Sequence, residues 1–230
     1  MIVIFNIEYH TGWGEKVFIA EIQTKPISMY TTDGINWSVE IDLDIPDEGK
    51  LIYYNYQIEQ NGIVTRKEWN SLPRCIFLSG IGKKKYRIYD SWKNNPEQSY
   101  FYSSAFTDIL LAHTPNRISI HNYTKGIIIK TYSPCIGKDY TLAISGNQKI
   151  LGSWDPDKAL QMSDATFPEW QIELDADKIK FPLEYKFILY SKLERKAVCW
   201  ENNPNRYLAN PELKSNETLV ISDRYTYFNL

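Results

Sequence analysis

The chain has 230 residues, room for two small domains or one large sandwich. Its 26 Lys and Arg stand against 28 Asp and Glu, and no basic run outgrows Lys83-Lys84-Lys85. The positive field that a phosphate backbone requires is therefore missing, and no nucleic acid partner is expected. No apolar stretch reaches membrane-spanning length, so no membrane partner is expected either. The three Cys, at 75, 135 and 199, lie far apart without a CxxC or Cys/His cluster. Their spacing suits reduced thiols, with no metal and no cofactor. Met1 runs straight into the strand-like IVIFNIEY without a basic-then-apolar leader, which points to a cytoplasmic location.

Taken in order, the predicted elements are strands. In VEIDLDI (39–45), Val39, Ile41, Leu43 and Ile45 alternate with Glu40, Asp42 and Asp44, the period of a half-buried strand. LIYYNYQIE (51–59), GIIIKTY (126–132) and TLAISG (141–146) follow, rich in β-branched and aromatic residues. QIELD (171–175) alternates again, and PLEYKFILY (182–190) and TLVIS (218–222) complete the set. Asp33-Gly34, Pro46-Asp47-Glu48-Gly49, Asn61-Gly62 and Asp155-Pro156 mark turns between them. Short strands at such intervals predict an all-β fold built as a sandwich.

An internal repeat divides the chain. Trp37 opens an alternating strand, a strand centred on Asn55 follows, and Trp69 and Pro73-Arg74 come next; Trp170, Lys186, Trp200 and Pro204-Asn205-Arg206 repeat that order. Asn55 to Trp69 and Lys186 to Trp200 are both steps of fourteen residues. The repeat predicts two immunoglobulin-like antiparallel β-sandwich domains in tandem, over 1–92 and 118–230. The mixed, turn-prone segment 93–117 is the linker, apolar enough to pack against a domain.

In the second unit, LGSWDPDKAL (151–160), FPEW (167–170), EYKF (184–187) and CWENNPNR (199–206) stand in the order of a known family. Over about residues 130–222 the chain resembles the family 20 carbohydrate-binding module, the starch-binding domain of many amylolytic enzymes. Over 3–92 it resembles the same family less closely, through TGWGEKVFIA (11–20) and MYTTDGINW (29–37), without an LG-x-W segment. Two such modules in tandem look like the N-terminal region of the family 77 4-α-glucanotransferases. The chain ends where the catalytic barrel of such an enzyme is expected to begin. The resemblance thus implies a non-catalytic piece whose partners are α-glucan and a C-terminal catalytic domain.

A glucose ring has apolar faces and a polar rim, so flat aromatic side chains with a few polar neighbours suit it. The family's first site, carried over by resemblance, falls on Trp154 and Trp200 as platforms, with Lys186, Glu201 and Asn205 beside them. Strand phase agrees for Lys186, since Tyr185, Phe187 and Leu189 share the other face. The family's second site falls on Trp13, Tyr30 and Trp37 in the first unit, although Trp37 is also in phase with core residues. In the second unit that site is lost, because Ile136 and Ser163 replace aromatics. In the first unit Trp69 is expected at the place of Trp200, with Asn55 where Lys186 stands and no partner Trp, so that site is expected to be weak or dead. Nothing pairs the Asp residues across a cleft for hydrolysis, and no nucleophile motif accompanies His10, His113 or His121, so no enzyme activity is expected. The rival reading is a sandwich that binds a protein partner or its own copy.

Overall fold

The computed structural model describes residues 1–69, 71, 74–96, 99–111, 113, 118–223, 226 and 228. The apolar runs form strands. In the first half these are β1 (Ile2–Glu8), β2 (Glu15–Ala20), β3 (Ile27–Ser28), β4 (Asn36–Asp42), β5 (Lys50–Gln60), β6 (Ile63–Lys67), β7 (Arg74–Leu78) and β8 (Lys85–Ser91). The second half has β9 (Lys125–Tyr132), β10 (Tyr140–Gly146), β11 (Leu160–Gln161), β12 (Ser163–Thr166), β13 (Glu169–Asp175), β14 (Leu183–Ser191), β15 (Lys196–Trp200), β16 (Arg206–Leu208) and β17 (Glu217–Ser222). Positive φ at Asn61 and Gly62 closes the β5–β6 hairpin, as a two-residue turn between twisted strands requires.

The two halves share a sheet. One seven-stranded sheet runs through both, in the order β12-β13-β9-β17-β8-β1-β4. In each half the first strand lies parallel to the last: β1 beside β8, with Val3 opposite Tyr86, and β9 beside β17, with Gly126 opposite Thr218. The two last strands then pair with each other, also in parallel, with Thr218 opposite Tyr86. The sandwich layers are present, but the sheet the halves share is mixed rather than purely antiparallel. Two smaller sheets complete the layers: β3-β2-β5-β6 with β7 also on β5, and β11-β10-β14-β15 with β16 also on β14.

Side chains alternate across a strand, so each face of the shared sheet serves a different core. Val220 of β17 and Ile128 of β9 pack with Val3, Phe5, Ile7, Tyr54 and Tyr56 in the first core. Their neighbours Leu219, Ile127 and Ile129 pack with Trp170, Leu142, Tyr185 and Phe187 in the second. The halves are thus related by an approximate two-fold axis along the strands, with their smaller sheets on opposite faces of the shared one. Across the junction the buried Lys130 ammonium donates to the Cys75 carbonyl at 2.5 Å, and Lys84 meets Glu173 at 3.2 Å.

The segment between the halves packs down. A 3-10 turn over Ser99–Tyr102 and a π-helical turn over Ala105–Leu110 carry it. Tyr102 meets the edge of Trp69 at 5.2 Å between ring centroids. Further on, His113 stacks on Phe167 at 4.2 Å, while its ring nitrogens face Asp164 (2.9 Å) and the Ile136 carbonyl (2.7 Å).

Candidate functional site

A buried polar network appears once in each half and fixes how the halves correspond. In the second half Glu201 accepts from the Phe187 amide (2.9 Å) and from Arg206 Nε and Nη2 (3.1 and 2.8 Å). Arg206 also faces Asp223 at 3.6 Å, and Tyr185 Oη donates to Asp223 at 2.6 Å. In the first half Glu68 accepts from the Tyr56 amide (3.1 Å) and from Arg74 Nε and Nη2 (2.9 and 2.6 Å). Arg74 reaches Asp90 at 3.0 Å, and Tyr54 Oη donates to Asp90 at 2.9 Å. Each guanidinium also lies over a ring, Arg206 over Phe187 at 4.8 Å and Arg74 over Tyr56 at 5.3 Å. Burial alone would lower the pKa of Arg74, but Asp90 and Glu68 outweigh it and hold the charge. Burial raises the Asp223 carboxyl, with Arg206 opposing it. Pairing of this kind is what lets charges sit inside a sandwich.

On this frame the aromatic site of the second half is built. Trp154 ends a tight segment, Lys149–Trp154, that follows β10. Leu151 anchors it in the core, and its carbonyl accepts from Ser145 Oγ at 3.0 Å. Gly152 has φ 76°, and a Cβ there would lie 2.8 Å from the Lys158 carbonyl oxygen. Ser153 and Trp154 follow with φ of 52° and 64°. Two successive non-glycine residues in the left-handed region hold strain, which the surrounding anchors must sustain. The result is a half-buried indole 6.1 Å from that of Trp200, with the planes at 51°. Trp200 lies opposite Ile188 on β14, so it shares the outward face with the half-buried Lys186. Asn205 is exposed in the following loop. The expected Trp154, Lys186, Trp200 and Asn205 therefore fall on or beside one outward surface.

Glu201 does not join them as a free ligand group. It is 2 % exposed, and both carboxylate oxygens are taken by Arg206 and the Phe187 amide. Its place next to Trp200 positions the strand rather than the sugar. The strong sequence signal of the network, Glu68 with Arg74 and Glu201 with Arg206, was present beside the tryptophans but reads as a turn until the pairing is seen.

The network also corrects the repeat. Asn55 and Lys186 do correspond, since Asn55 pairs with Ala20 as Lys186 pairs with Ser145. On the next strand, however, Gln57 faces Lys67 where Ile188 faces Trp200. Lys67, not Trp69, occupies the place of Trp200. Trp69 is instead covered by Tyr102, and the Lys93 ammonium lies 5.4 Å from its ring. The partner platform is missing for a simple reason. Six residues (21–26) join β2 to β3, whereas thirteen (147–159) join β10 to β11, and Trp154 lies in this longer connection.

Of the three aromatics expected in the first half, two are open. Trp13 is 99 % exposed at the tip of the β1–β2 loop, and Tyr30 is 69 % exposed beside β4, bridged to Ser38. Thr11 bonds the Gly34 carbonyl, so the loop bearing Trp13 is tied to the one after Tyr30. Trp37 is different. It is 5 % exposed, its Nε1 donates to the Tyr9 carbonyl (3.2 Å), and Trp170 does the same with Ser133 (3.1 Å). Both are core residues whose indole N–H is satisfied, and Trp37 offers no face to a ligand. Ser163 takes the place of Tyr30 in the second half, as Met162 takes that of Met29.

Among the described residues no three His, Cys, Asp or Glu side chains are grouped to hold a metal, and no helix is long and apolar enough to cross a membrane. Residues 131–220 match the starch binding domain family. Over 227 residues the chain is 22 % identical to the 4-alpha-glucanotransferase DPE2 of Oryza sativa subsp. japonica. That alignment takes in 89 % of this chain and 23 % of the relative, so the chain spans about a quarter of that protein's length. Among solved structures, the family 20 module of the maltotetraose-forming amylase from Pseudomonas saccharophila STB07 covers 43 % of this chain and 99 % of its own. Its identity is 15 % and its TM-score 0.33. The glucoamylase from Hypocrea jecorina covers 44 % of this chain and 17 % of its own, at 19 % identity and TM-score 0.38.

Proposed function

We propose that this chain, whose residues 131–220 match the starch binding domain family, holds α-1,4-glucan without transforming it, and that it serves a 4-α-glucanotransferase of which it is the N-terminal part. The observation that carries the proposal is the pair Trp154 and Trp200, 6.1 Å apart and tilted by 51°. A coiled α-glucan presents successive glucose faces at an angle, and two tilted rings cover two of them where a flat row would not. Lys186 and Asn205 then read hydroxyls at the rim. Trp13 and Tyr30 form a second, smaller site in the first half. The division into modules 1–92 and 118–230, joined by 93–117, and a cytoplasmic location where glycogen or malto-oligosaccharides are handled belong to the same proposal.

The test is sedimentation with granular starch and retardation in glycogen-containing gels, each repeated with β-cyclodextrin as competitor. Retention that the competitor releases supports the proposal; passage at the rate of an inert protein opposes it. One observation favours the rival reading, docking of another protein: Tyr100, Ile109 and Leu110 are exposed together on the segment between the halves. Self-association that is indifferent to sugar would favour that reading.

A further inference from the structure

Three alternate residues of β13, Glu169, Gln171 and Glu173, face the first half from the shared sheet, out of phase with Trp170 and Leu174 of the second core. The outer two are matched to buried lysines: Glu169 to Lys130 at 2.5 Å, and Glu173 to Lys84 at 3.2 Å. The middle one has no such match. Gln171 is 5 % exposed, and its Oε1 has no hydrogen-bond partner among the described residues. Its neighbours on the flanking strands are engaged elsewhere. Lys130 meets Glu169 and the Cys75 carbonyl, and Ser163 Oγ accepts from the Ala165 amide at 3.3 Å. A buried carbonyl left unpaired is costly, so this one calls for an outside donor.

Gln171 lines a cavity of about 430 Å³ that neither half makes alone. The first half supplies Phe77, Ser79, Lys84 and Tyr86 from β7, β8 and the turn between them. The second half supplies Gln161 and Ser163 from β11 and β12, with Ile128 and Ile172 from β9 and β13. The segment before β9 adds residues 118–121 and Tyr123. The junction's own ion pair holds that segment in place. The His121 carbonyl accepts from Lys84 Nζ at 2.5 Å, its Nδ1 faces Glu173 at 3.3 Å, and Tyr123 stacks flat on its ring at 4.8 Å. The cavity thus exists only where β8 and β17 join the halves, away from Trp154 and Trp200 and from Trp13 and Tyr30.

The lining decides the class of ligand. Lys84 is buried and matched to Glu173, and His121 faces the same carboxylate, so an anion gains no free ammonium. The groups on offer are Gln171, Gln161 and Ser163, beside the apolar Phe77, Ile128 and Ile172. Hydroxyls separated by C–H faces suit that mixture, and a hydroxyl is the donor that Gln171 Oε1 lacks. The volume lies at the small end of the range of about 300–1,000 Å³ usual for small-molecule sites. We propose that this junction cavity binds a small neutral carbohydrate, of mono- or disaccharide size, which donates a hydroxyl to Gln171. Such a ligand touches both halves and stabilises their union by binding only the folded chain. The proposal does not rest on the glucan reading of the aromatic residues.

The test uses the chain carrying Trp13→Ala, Trp154→Ala and Trp200→Ala, in which the aromatic surfaces are removed and the cavity is kept. Glucose and maltose are titrated against it by NMR, with the Gln171 side-chain amide and the Ser163 and Glu173 backbone amides as reporters. Saturable shifts at these signals, together with a rise in Tm, are the expected result. Gln171→Leu should weaken maltose at least about threefold, the effect of one lost hydrogen bond. Gln161→Trp, a change at an exposed residue of the rim, should abolish binding without touching the core. Maltoheptaose identifies the source: equal shifts mark a chain end and absent shifts a free sugar, and either supports the site. Reporters that stay unmoved up to the solubility of maltose overturn the proposal. So does binding that ignores both Gln171→Leu and Gln161→Trp, or a response to inorganic phosphate in place of sugar. Failure here leaves the glucan reading of Trp154 and Trp200 standing, since those residues are absent from the protein tested.

Discussion

Leu219 and Val220 are neighbours on β17, yet they belong to different hydrophobic cores: Val220 packs with Phe5, Tyr54 and Tyr56, and Leu219 with Trp170, Tyr185 and Phe187. One strand therefore seals both halves. Unfolding is expected as a single cooperative transition, since neither half keeps its core once β17 leaves. Leu219→Ala should destabilise by about 2–5 kcal/mol and lower that one transition. Calorimetric scans check this; two separate transitions, with Leu219→Ala moving only one, would contradict the shared-strand account.

The buried network predicts a contrast between two residues four positions apart. Glu201→Ala leaves Arg206 without its main partner and should destabilise by about 3–5 kcal/mol. Asn205→Ala alters an exposed loop and should leave stability within about 0.5 kcal/mol while weakening maltoheptaose binding. Urea unfolding and sugar titration on the same samples separate the two effects. Equal stability losses would place Asn205 in the scaffold rather than the site.

Lys93 lies between two rings, 5.4 Å from Trp69 and 4.8 Å from Tyr132. Burial, and then the nearby Arg74, bring its pKa down from 10.5 to about 8. Below that value both folded and unfolded chains carry the proton. Between about 8 and 10.5 only the unfolded chain does, so this group makes stability rise with pH across that window. Other groups titrate there too, so the test is a difference. From pH 7.5 to 9.5 the unfolding free energy of the wild type should rise relative to that of Lys93→Met. A difference that stays flat would contradict the lowered pKa.

Restoring residue identity should not give the first half a site of the Trp154/Trp200 kind. In a chain carrying Trp154→Ala and Trp200→Ala, the further changes Asn55→Lys and Lys67→Trp put the second half's side chains at equivalent strand positions. The segment that would hold the partner ring is still absent, because only residues 21–26 join β2 to β3. No recovery of maltoheptaose affinity is expected by calorimetry; recovery would show that one platform suffices.

Much of this was legible in the sequence. Alternation located the strands and set the outward phase of Lys186 and the inward phase of Trp37. The turn residues Asp155-Pro156, which follow Trp154, marked it as a surface residue. The matched fourteen-residue steps misled, because the β5–β6 and β14–β15 pairings each shift register and their turns differ in length. Equal spacing along the chain thus did not mean equal place in the sheet. The shared sheet left a signal that went unread: GIIIKTY and TLVIS are nearly unbroken apolar runs, the mark of strands buried on both faces. Glu201 looked like a ligand group because nothing local shows that Arg206 folds back onto it.

The central claim is that tilted Trp154 and Trp200 hold glucan. Calorimetric titration with maltoheptaose and β-cyclodextrin, comparing the wild type with the Trp154→Ala/Trp200→Ala double variant, tests it most directly. The account predicts saturable binding by the wild type and at least a tenfold loss, about 1.4 kcal/mol, at the main site of a variant that remains folded. Undiminished affinity in the double variant would contradict it.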